Sequence, residues 1–288
     1  MKVNGHWVHD LNPYAIRFPN SWPLDGIRWY GIAYLLGFLS AYLIFHLYRL
    51  FRRVMLDKGQ IDSLLTHLLI GAVAGGRLGY VLLYEVNVLV CDPLETIHIW
   101  HGGMSSHGGF VGVALAIYCF SRRYRLAPLA IADAVVSVAP LGIFFGRVAN
   151  FINGELYGRA SNVLWAVVFP RATSAGNHFI ARHPSQIYEA LAEGLLLFIY
   201  VQTIFWIRKT KERFAGNLMS KFLIAYSLLR IFCEHFREPD APLILGITRG
   251  QFYSVFTLFC GCGLTYALRR KWQVKTLGPG IEKLGKNV

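Results

Sequence analysis

The sequence predicts an all-α polytopic membrane protein with about seven transmembrane helices, and two observations carry that prediction. Of 288 residues, 55% are hydrophobic and 16% charged, whereas a soluble domain carries about 25% charge. The apolar residues are also gathered in long runs: Trp29–Tyr48, Gly102–Ser121 and Gly250–Leu268 contain no Lys, Arg, Asp or Glu. Each run approaches the ~20 residues that a helix needs to cross ~30 Å of hydrocarbon. Spans are expected near Trp29–Tyr48, Ser63–Tyr84, Gly102–Phe120, Pro128–Asn150, Ser185–Ile207, Gly216–Phe236 and Gly250–Leu268.

The net charge of +13 does not point to nucleic acid. More than half of the Lys and Arg lie in four clusters between apolar runs: Arg49 to Lys58, Arg122 to Arg125, Arg208 to Arg213, and Arg269 to Lys286. These fall at alternate crossings, which puts them on the cytoplasmic face, the N-terminus outside and the C-terminus in the cytoplasm. Residues 1–28 have no apolar h-region of a signal peptide. Their aromatics and prolines suggest an interfacial arm on the outer surface. Residues 29–268 form the membrane domain, with an outer cap at 151–184, and residues 269–288 a basic cytoplasmic tail. Cys119, Cys233, Cys260 and Cys262 fall inside expected spans and Cys91 in an outer loop, so no disulfide framework is expected. Cys260-Gly-Cys262 has no His or carboxylate beside it, which argues against a metal site.

The outward connections, Glu85–His101, Phe151–Pro184 and Arg237–Arg249, are long, while the cytoplasmic ones are short and basic. A working site is therefore expected on the outer side. Within the largest connection, Val163-Leu-Trp-Ala-Val-Val-Phe169 is β-branched and too short to span, and reads as a strand.

An ionisable residue at mid-membrane costs roughly 2.5–3.5 kcal/mol. Such residues here are Arg77, Asp133, Arg147, Glu189, Glu193, Lys221, Arg230 and Glu234. Lys221 is near a cytoplasmic end and can snorkel. Arg77, Arg147, Arg230 and Glu234 lie in the outward halves of their helices. Tyr226, Arg230 and Glu234 share one helix face by their spacing of four. Either Arg230 and Glu234 form a structural ion pair, or guanidiniums from several helices converge on an anion, for which Arg's planar fork suits phosphate. An anion transporter and an enzyme acting on a lipid headgroup both remain open on this evidence.

Three glycine-rich stretches accompany these arginines: Gly75-Gly-Arg-Leu-Gly-Tyr80, Gly102-Gly-Met-Ser-Ser-His-Gly-Gly109, and Gly146-Arg-Val-Ala-Asn-Phe-Ile-Asn-Gly-Glu155. Glycine lets membrane helices approach closely, and no strand precedes these stretches to make a nucleotide fingerprint. With Trp29-Tyr-Gly31, Gly158-Arg159, Arg182-His-Pro-Ser-Gln-Ile-Tyr-Glu189, Arg230 to Asp240 and Gly250-Gln251, they occur in an order that resembles the prolipoprotein diacylglyceryl transferase family, over roughly residues 25–265. Departures are modest: Ser106 stands where a bulky residue is common, Glu238 where Gln is common, and Arg249 where a neutral residue is common.

The resemblance implies a bacterial inner-membrane enzyme with its active site toward the outer (periplasmic) leaflet. It would transfer the diacylglyceryl group of phosphatidylglycerol to the thiol of the lipobox cysteine in a prolipoprotein signal peptide, releasing glycerol 1-phosphate. No cofactor, metal or nucleic-acid partner is expected. His107, Arg147, Asn150, Glu155, Gly158, Tyr226, Arg230 and Glu234 match positions the family uses for activity or substrate binding, and Tyr30 and Arg77 match its motifs. On that reading Arg147 and Arg230 hold the phosphate, Glu234 positions Arg230, Asn150 and Glu155 fix the headgroup, and the thiol is activated either by His107 as base or by the charge of the arginines alone.

Overall fold

The computed structural model describes residues 2–3, 5–19, 21–22, 25–87, 91–98, 103–172, 180–207, 215–239 and 242–276. Gly102, Asp240, the basic cluster at 208–213, and Lys283 and Lys286 lie outside the described residues. Four strands come first: β1 (Lys2–Val3), β2 (His6–Val8), β3 (Tyr14–Arg17) and β4 (Gly26–Arg28). Helices α1 (Trp29–Leu50) and α2 (Lys58–Tyr84), a 3₁₀ turn at Pro93–Ile97, and helices α3 (Ser106–Arg123) and α4 (Pro128–Asn153) follow. Next are β5 (Val167–Val168), β6 (Ala181–Arg182) and α5 (Ser185–Ile207), whose segment Ala190–Leu196 is π-helical. Helices α6 (Asn217–Glu234) and α7 (Arg249–Thr276) complete the described chain.

The helices fall on the expected spans. Among the described residues, five are long and apolar enough to cross a membrane: α1, α2, α4, α5 and Arg249–Arg270 of α7. Helices α3 and α6 have 18 residues each and a more polar make-up. The first opens on Ser106-His-Gly-Gly109, and the second carries Asn217, Lys221, Arg230 and Glu234.

The chain divides into two compact units, residues 42–134 and residues 1–41 with 135–288. In the first, α2 starts from a capping box in which Asp57 accepts from Gln60 N at 2.8 Å and Gln60 accepts from Asp57 N at 3.0 Å. Its Gly71, Gly75 and Gly79, four residues apart, face Gly108, Gly112 and Ala116 of α3. A Cβ on Gly71 would stand 2.5 Å from the Gly112 carbonyl oxygen, and one on Gly79 2.5 Å from Gly108 Cα. The two backbones therefore touch, as small residues at four-residue spacing allow in lipid. Arg77, on the same helix, is buried and clamps the loop beyond it. Its Nε donates to Thr96 O at 3.1 Å, and its terminal nitrogens to Glu95 O at 2.6 Å and Gly103 O at 3.3 Å.

In the second unit a small sheet of order β1-β2-β5-β6 forms a cap. Strand β2 runs parallel to β5, with Trp7 opposite Val167 and Val8 opposite Val168. The expected strand at 163–169 is thus two residues long, because residues 164–165 form a turn before it. Val167, Phe169 and Ala172 make the cap core, against Trp7, Phe151 and Tyr157. Residues 2–8, read from sequence as an interfacial arm, supply half the strands of this sheet. Hairpin β3–β4 leads directly into α1.

Two histidines serve the cap in their neutral form. Burial holds the His9 imidazole below the ordinary histidine range, outweighing its 2.7 Å bond to Phe151 O. Burial also lowers His183. Both bind a proton less readily folded than unfolded, so their contribution is whole above pH ~6.5 and is lost as the pH falls. The free energy of opening of the β2 and β5 amides, measured by hydrogen exchange, is expected to fall between about pH 8 and about pH 5. The double variant His9→Gln, His183→Gln should flatten that slope; an equal slope in both proteins would contradict the assignment.

Candidate active site

The second unit gathers charge at one end of its helices. Arg147 lies near the C-terminus of α4, Glu189 and Glu193 near the start of α5, and Arg230 and Glu234 at the end of α6. One oxygen is the hub. Glu189 Oε2 lies 2.8 Å from Arg147 Nε, 3.0 Å from an Arg230 nitrogen and 3.5 Å from an Arg237 nitrogen. Glu193 bridges the same two helices, 3.5 Å from Arg147 and 3.3 Å from Arg230. Glu234 pairs with Arg230 one turn away on the same helix, at 2.5 Å. Arg230 is thus ion-paired to Glu234, the first of the two sequence alternatives, and it also meets Arg147 from another helix, at carboxylates of the protein itself.

Three guanidiniums face three carboxylates, so the fully ionised cluster is neutral. That balance is what lets it exist where a lone charge is costly. Glu189 and Glu193 are almost wholly buried, while the Arg147 side chain keeps 18% of its surface. Arg147 is the guanidinium of the hub pair with more open surface, since Arg230 keeps 10%.

Local backbone explains the convergence. The π-helical turn holds Glu193, and Gly194 beside it lies against α4, where a Cβ would be 2.7 Å from Phe144 Cα. Phe144 is one turn before Arg147. π-turns inside α-helices recur at functional sites. On the other flank, a Cβ on Gly250 would stand 2.7 Å from the Glu234 carboxylate, so the first turn of α7 closes over that group.

A second polar cluster adjoins through α4. Asn150, three residues beyond Arg147, donates to the Tyr30 hydroxyl and to Glu155 Oε1, the latter at 2.8 Å. The Tyr30 hydroxyl also donates to Glu155. Gln186 donates to Glu155 O at 2.6 Å, and Ser185 to Leu156 O at 3.1 Å. Gly158 serves the backbone, because a Cβ there would lie 2.5 Å from both His183 O and Phe236 O. Tyr226 stacks on Phe222 with centroids 5.9 Å apart, and feels the charges of Glu193, Arg230 and Arg147.

Tyr30, Arg147, Asn150, Glu155, Gly158, Tyr226, Arg230 and Glu234 thus fall in one unit, while Arg77 and His107 belong to the other. His107 occupies the first turn of α3, next to the Gly108 seam. The residues given no role from sequence are Glu189, Glu193, Arg237 and Gly250. The two glutamates carry a visible signal, being intramembrane carboxylates four residues apart. The part of Arg237 depends on the chain turning back after α6.

This is a polytopic helical membrane protein with a buried arginine–carboxylate site at one end of its helices. The family model for prolipoprotein diacylglyceryl transferase matches residues 19–267, and the chain belongs to that family. Phosphatidylglycerol–prolipoprotein diacylglyceryl transferase of Nitrosomonas europaea is 42% identical over 246 residues, covering 83% of this chain and 85% of that protein. The protein of the same name from Rhodospirillum rubrum is 45% identical over 268 residues, 89% of this chain and 96% of its own length. That of Azospirillum brasilense is 43% identical over 267 residues, 89% and 98% of the two chains.

Breaking a buried pair by removing one partner costs about 3–5 kcal/mol, because the other charge is stranded. Glu189→Gln strands positive charge on three arginines, and a stability loss on that scale is expected in detergent-based thermal or denaturant unfolding. A loss under about 1 kcal/mol, the range of an exposed pair, would remove Glu189 from its place as hub.

Proposed function

We infer that the protein transfers the diacylglyceryl group of phosphatidylglycerol to the cysteine thiol of a prolipoprotein, the first step of lipoprotein maturation. Family membership and the names of its relatives support this. The observation that carries the chemistry is the meeting of Arg147 and Arg230, from two helices, on a single anionic oxygen.

The reaction is a displacement at carbon. The cysteine sulfur attacks the glyceryl CH₂ that bears the phosphate ester, a C–S bond forms, the C–O bond breaks, and the electron pair leaves with glycerol 1-phosphate. The thiol proton must go to a base, since the thiolate is the nucleophile. Charge grows on the leaving phosphate, where preorganised guanidiniums stabilise it most. Arg147, with the more open surface, meets the phosphate first, and Arg230 supports it from the shared carboxylates. Glu189, Glu193 and Glu234 hold both forks in place, so little reorganisation is needed during the reaction. The Tyr30–Asn150–Glu155 cluster orients the glycerol headgroup, with Gly158 and Tyr226 shaping the same region. His107 is the base, and Arg77 keeps its loop in place beside it in sequence.

With seven crossings, the N-terminus and the cap lie outside and the C-terminus in the cytoplasm. The site then faces the outer leaflet of the bacterial inner membrane, where a lipid donor and a membrane-held signal peptide with its lipobox cysteine both reside. The basic cytoplasmic clusters support that orientation.

Purified protein, phosphatidylglycerol and a lipobox peptide should yield a thioether product and glycerol 1-phosphate, and a Cys→Ser peptide should yield neither. Arg147→Ala should lose about 10²–10³ in rate, the scale of one transition-state donor, with Arg147→Lys failing to restore it because a point charge lacks the fork. Near-normal turnover by Arg147→Ala would remove that residue from the phosphate. His107→Gln should lose far more rate at about pH 6.5 than at about pH 9, where the thiol, of ordinary pKa ~8.5, ionises unaided. Equal losses at both would leave thiol activation to electrostatics alone.

A further inference from the structure

Two loops of the second unit end in apolar tips that no packing explains. In the cap, the turn before β5 presents Leu164, 92% exposed, and Trp165, 61% exposed. Between α6 and α7, Ile244 and Ile247 exchange backbone hydrogen bonds of 2.9 and 3.0 Å across a two-residue turn, Leu245-Gly246. Both turn residues have positive φ, 52° and 79°. Such a turn favours Asn or Asp before Gly, and the left-handed backbone strains a leucine there. Leu245 is nonetheless 90% exposed, and Leu243 beside it 54%.

Both tips are tied to the same end of the helices. The Trp165 indole N–H donates to the Tyr188 hydroxyl at 2.6 Å, and Tyr188 adjoins Glu189 of the ion cluster. The Leu243–Ile247 turn ends two residues before Arg249, which opens α7, and Gly250 touches Glu234 of that cluster. The indole is thus held beside the start of α5 with its polar edge satisfied and its ring exposed, and Trp and Tyr concentrate where spans leave the hydrocarbon. Arg249, exposed and four residues beyond Leu245, adds positive charge at that depth. An arginine near a membrane surface is drawn to anionic lipid.

We propose that Leu164–Trp165 and Leu243–Leu245 are two anchors that seat in the headgroup region of an anionic leaflet, with Arg249 against lipid phosphate. The cap and the α6–α7 turn are then each pinned to the bilayer by an apolar tip. This does not rest on the transferase reading, since its readout is depth rather than turnover.

The test places an environment-sensitive fluorescent amino acid at position 164, 245 or, as reference, the exposed cap residue Arg171, in the full chain in vesicles. Vesicles are phosphatidylcholine alone or mixed with phosphatidylglycerol, each with a nitroxide high on the acyl chain. Blue-shifted, quenched emission at 164 and 245 with water-like, unquenched emission at 171 is expected. Phosphatidylglycerol should deepen quenching at 245, and Arg249→Ala should abolish that increment. Emission at 164 and 245 indistinguishable from 171 would overturn the proposal. So would shielding that appears only on adding a signal peptide, or only at high protein density, which would mark a peptide or a second copy as the occupant.

Discussion

A carboxylate oxygen shared by three arginines is the constraint on which the site depends. In water, the attraction between Glu189 and Arg147 at 2.8 Å would be slight, and no side chain would be held by it. Away from water each charge loses several kcal/mol of solvation, and only mutual approach with good geometry offsets that loss. The arginines therefore have little choice of position. Because they come from α4, α6 and the segment after α6, while the carboxylates come from α5 and α6, the electrostatics set the relative depth of these helices. Gly250 extends the effect to α7 by lying on the Glu234 carboxylate.

Such a cluster needs close backbones as well as charges. Lipid offers no hydrophobic gain for bringing two apolar helices together, so approach depends on small residues and fit. Glycine supplies this at each junction: Gly194 against Phe144, Gly250 against Glu234, and Gly261 against Ser220 and Ile224. Seam hydrogen bonds, such as the 2.6 Å contact between Ser227 and Thr257, finish the α6–α7 packing. The π-helical turn at Ala190–Leu196 widens α5 where Glu193 must reach two arginines at once.

The helices were legible in the sequence because hydrocarbon thickness dictates a minimum apolar length, and Trp29–Leu50 or Pro128–Asn153 meets it without help. α3 was visible as the uncharged run Gly102–Ser121 despite its glycines, whereas in α6 Lys221, Arg230 and Glu234 dilute the apolar signal and the four-residue spacing of its polar face was the clearer mark. Arg147, Arg230 and Glu234 declared themselves as charges in the wrong solvent. Glu189 and Glu193 carried the same signal, but their pairing with Arg147 and Arg230 did not, because pairing across helices leaves no trace in spacing along one helix. Arg77 shows the converse: the same wrong-solvent signal marks a residue that the loop's carbonyls account for. The cap sheet was the least legible part, as strands of two or three residues have too little alternation to read, and β2 finds β5 some 160 positions away.

That last pairing bears on the order in which the molecule can be made. Parallel strands need a crossover between them, and here the crossover holds four helices, α1 to α4. Trp7 and Val8 must wait until those helices have been made and Val167 has been delivered beside them. Local hairpins such as β3–β4 can close early, whereas contacts this distant along the chain form late. The cap sheet is therefore among the last parts of the molecule to be assembled, after every helix that separates its strands.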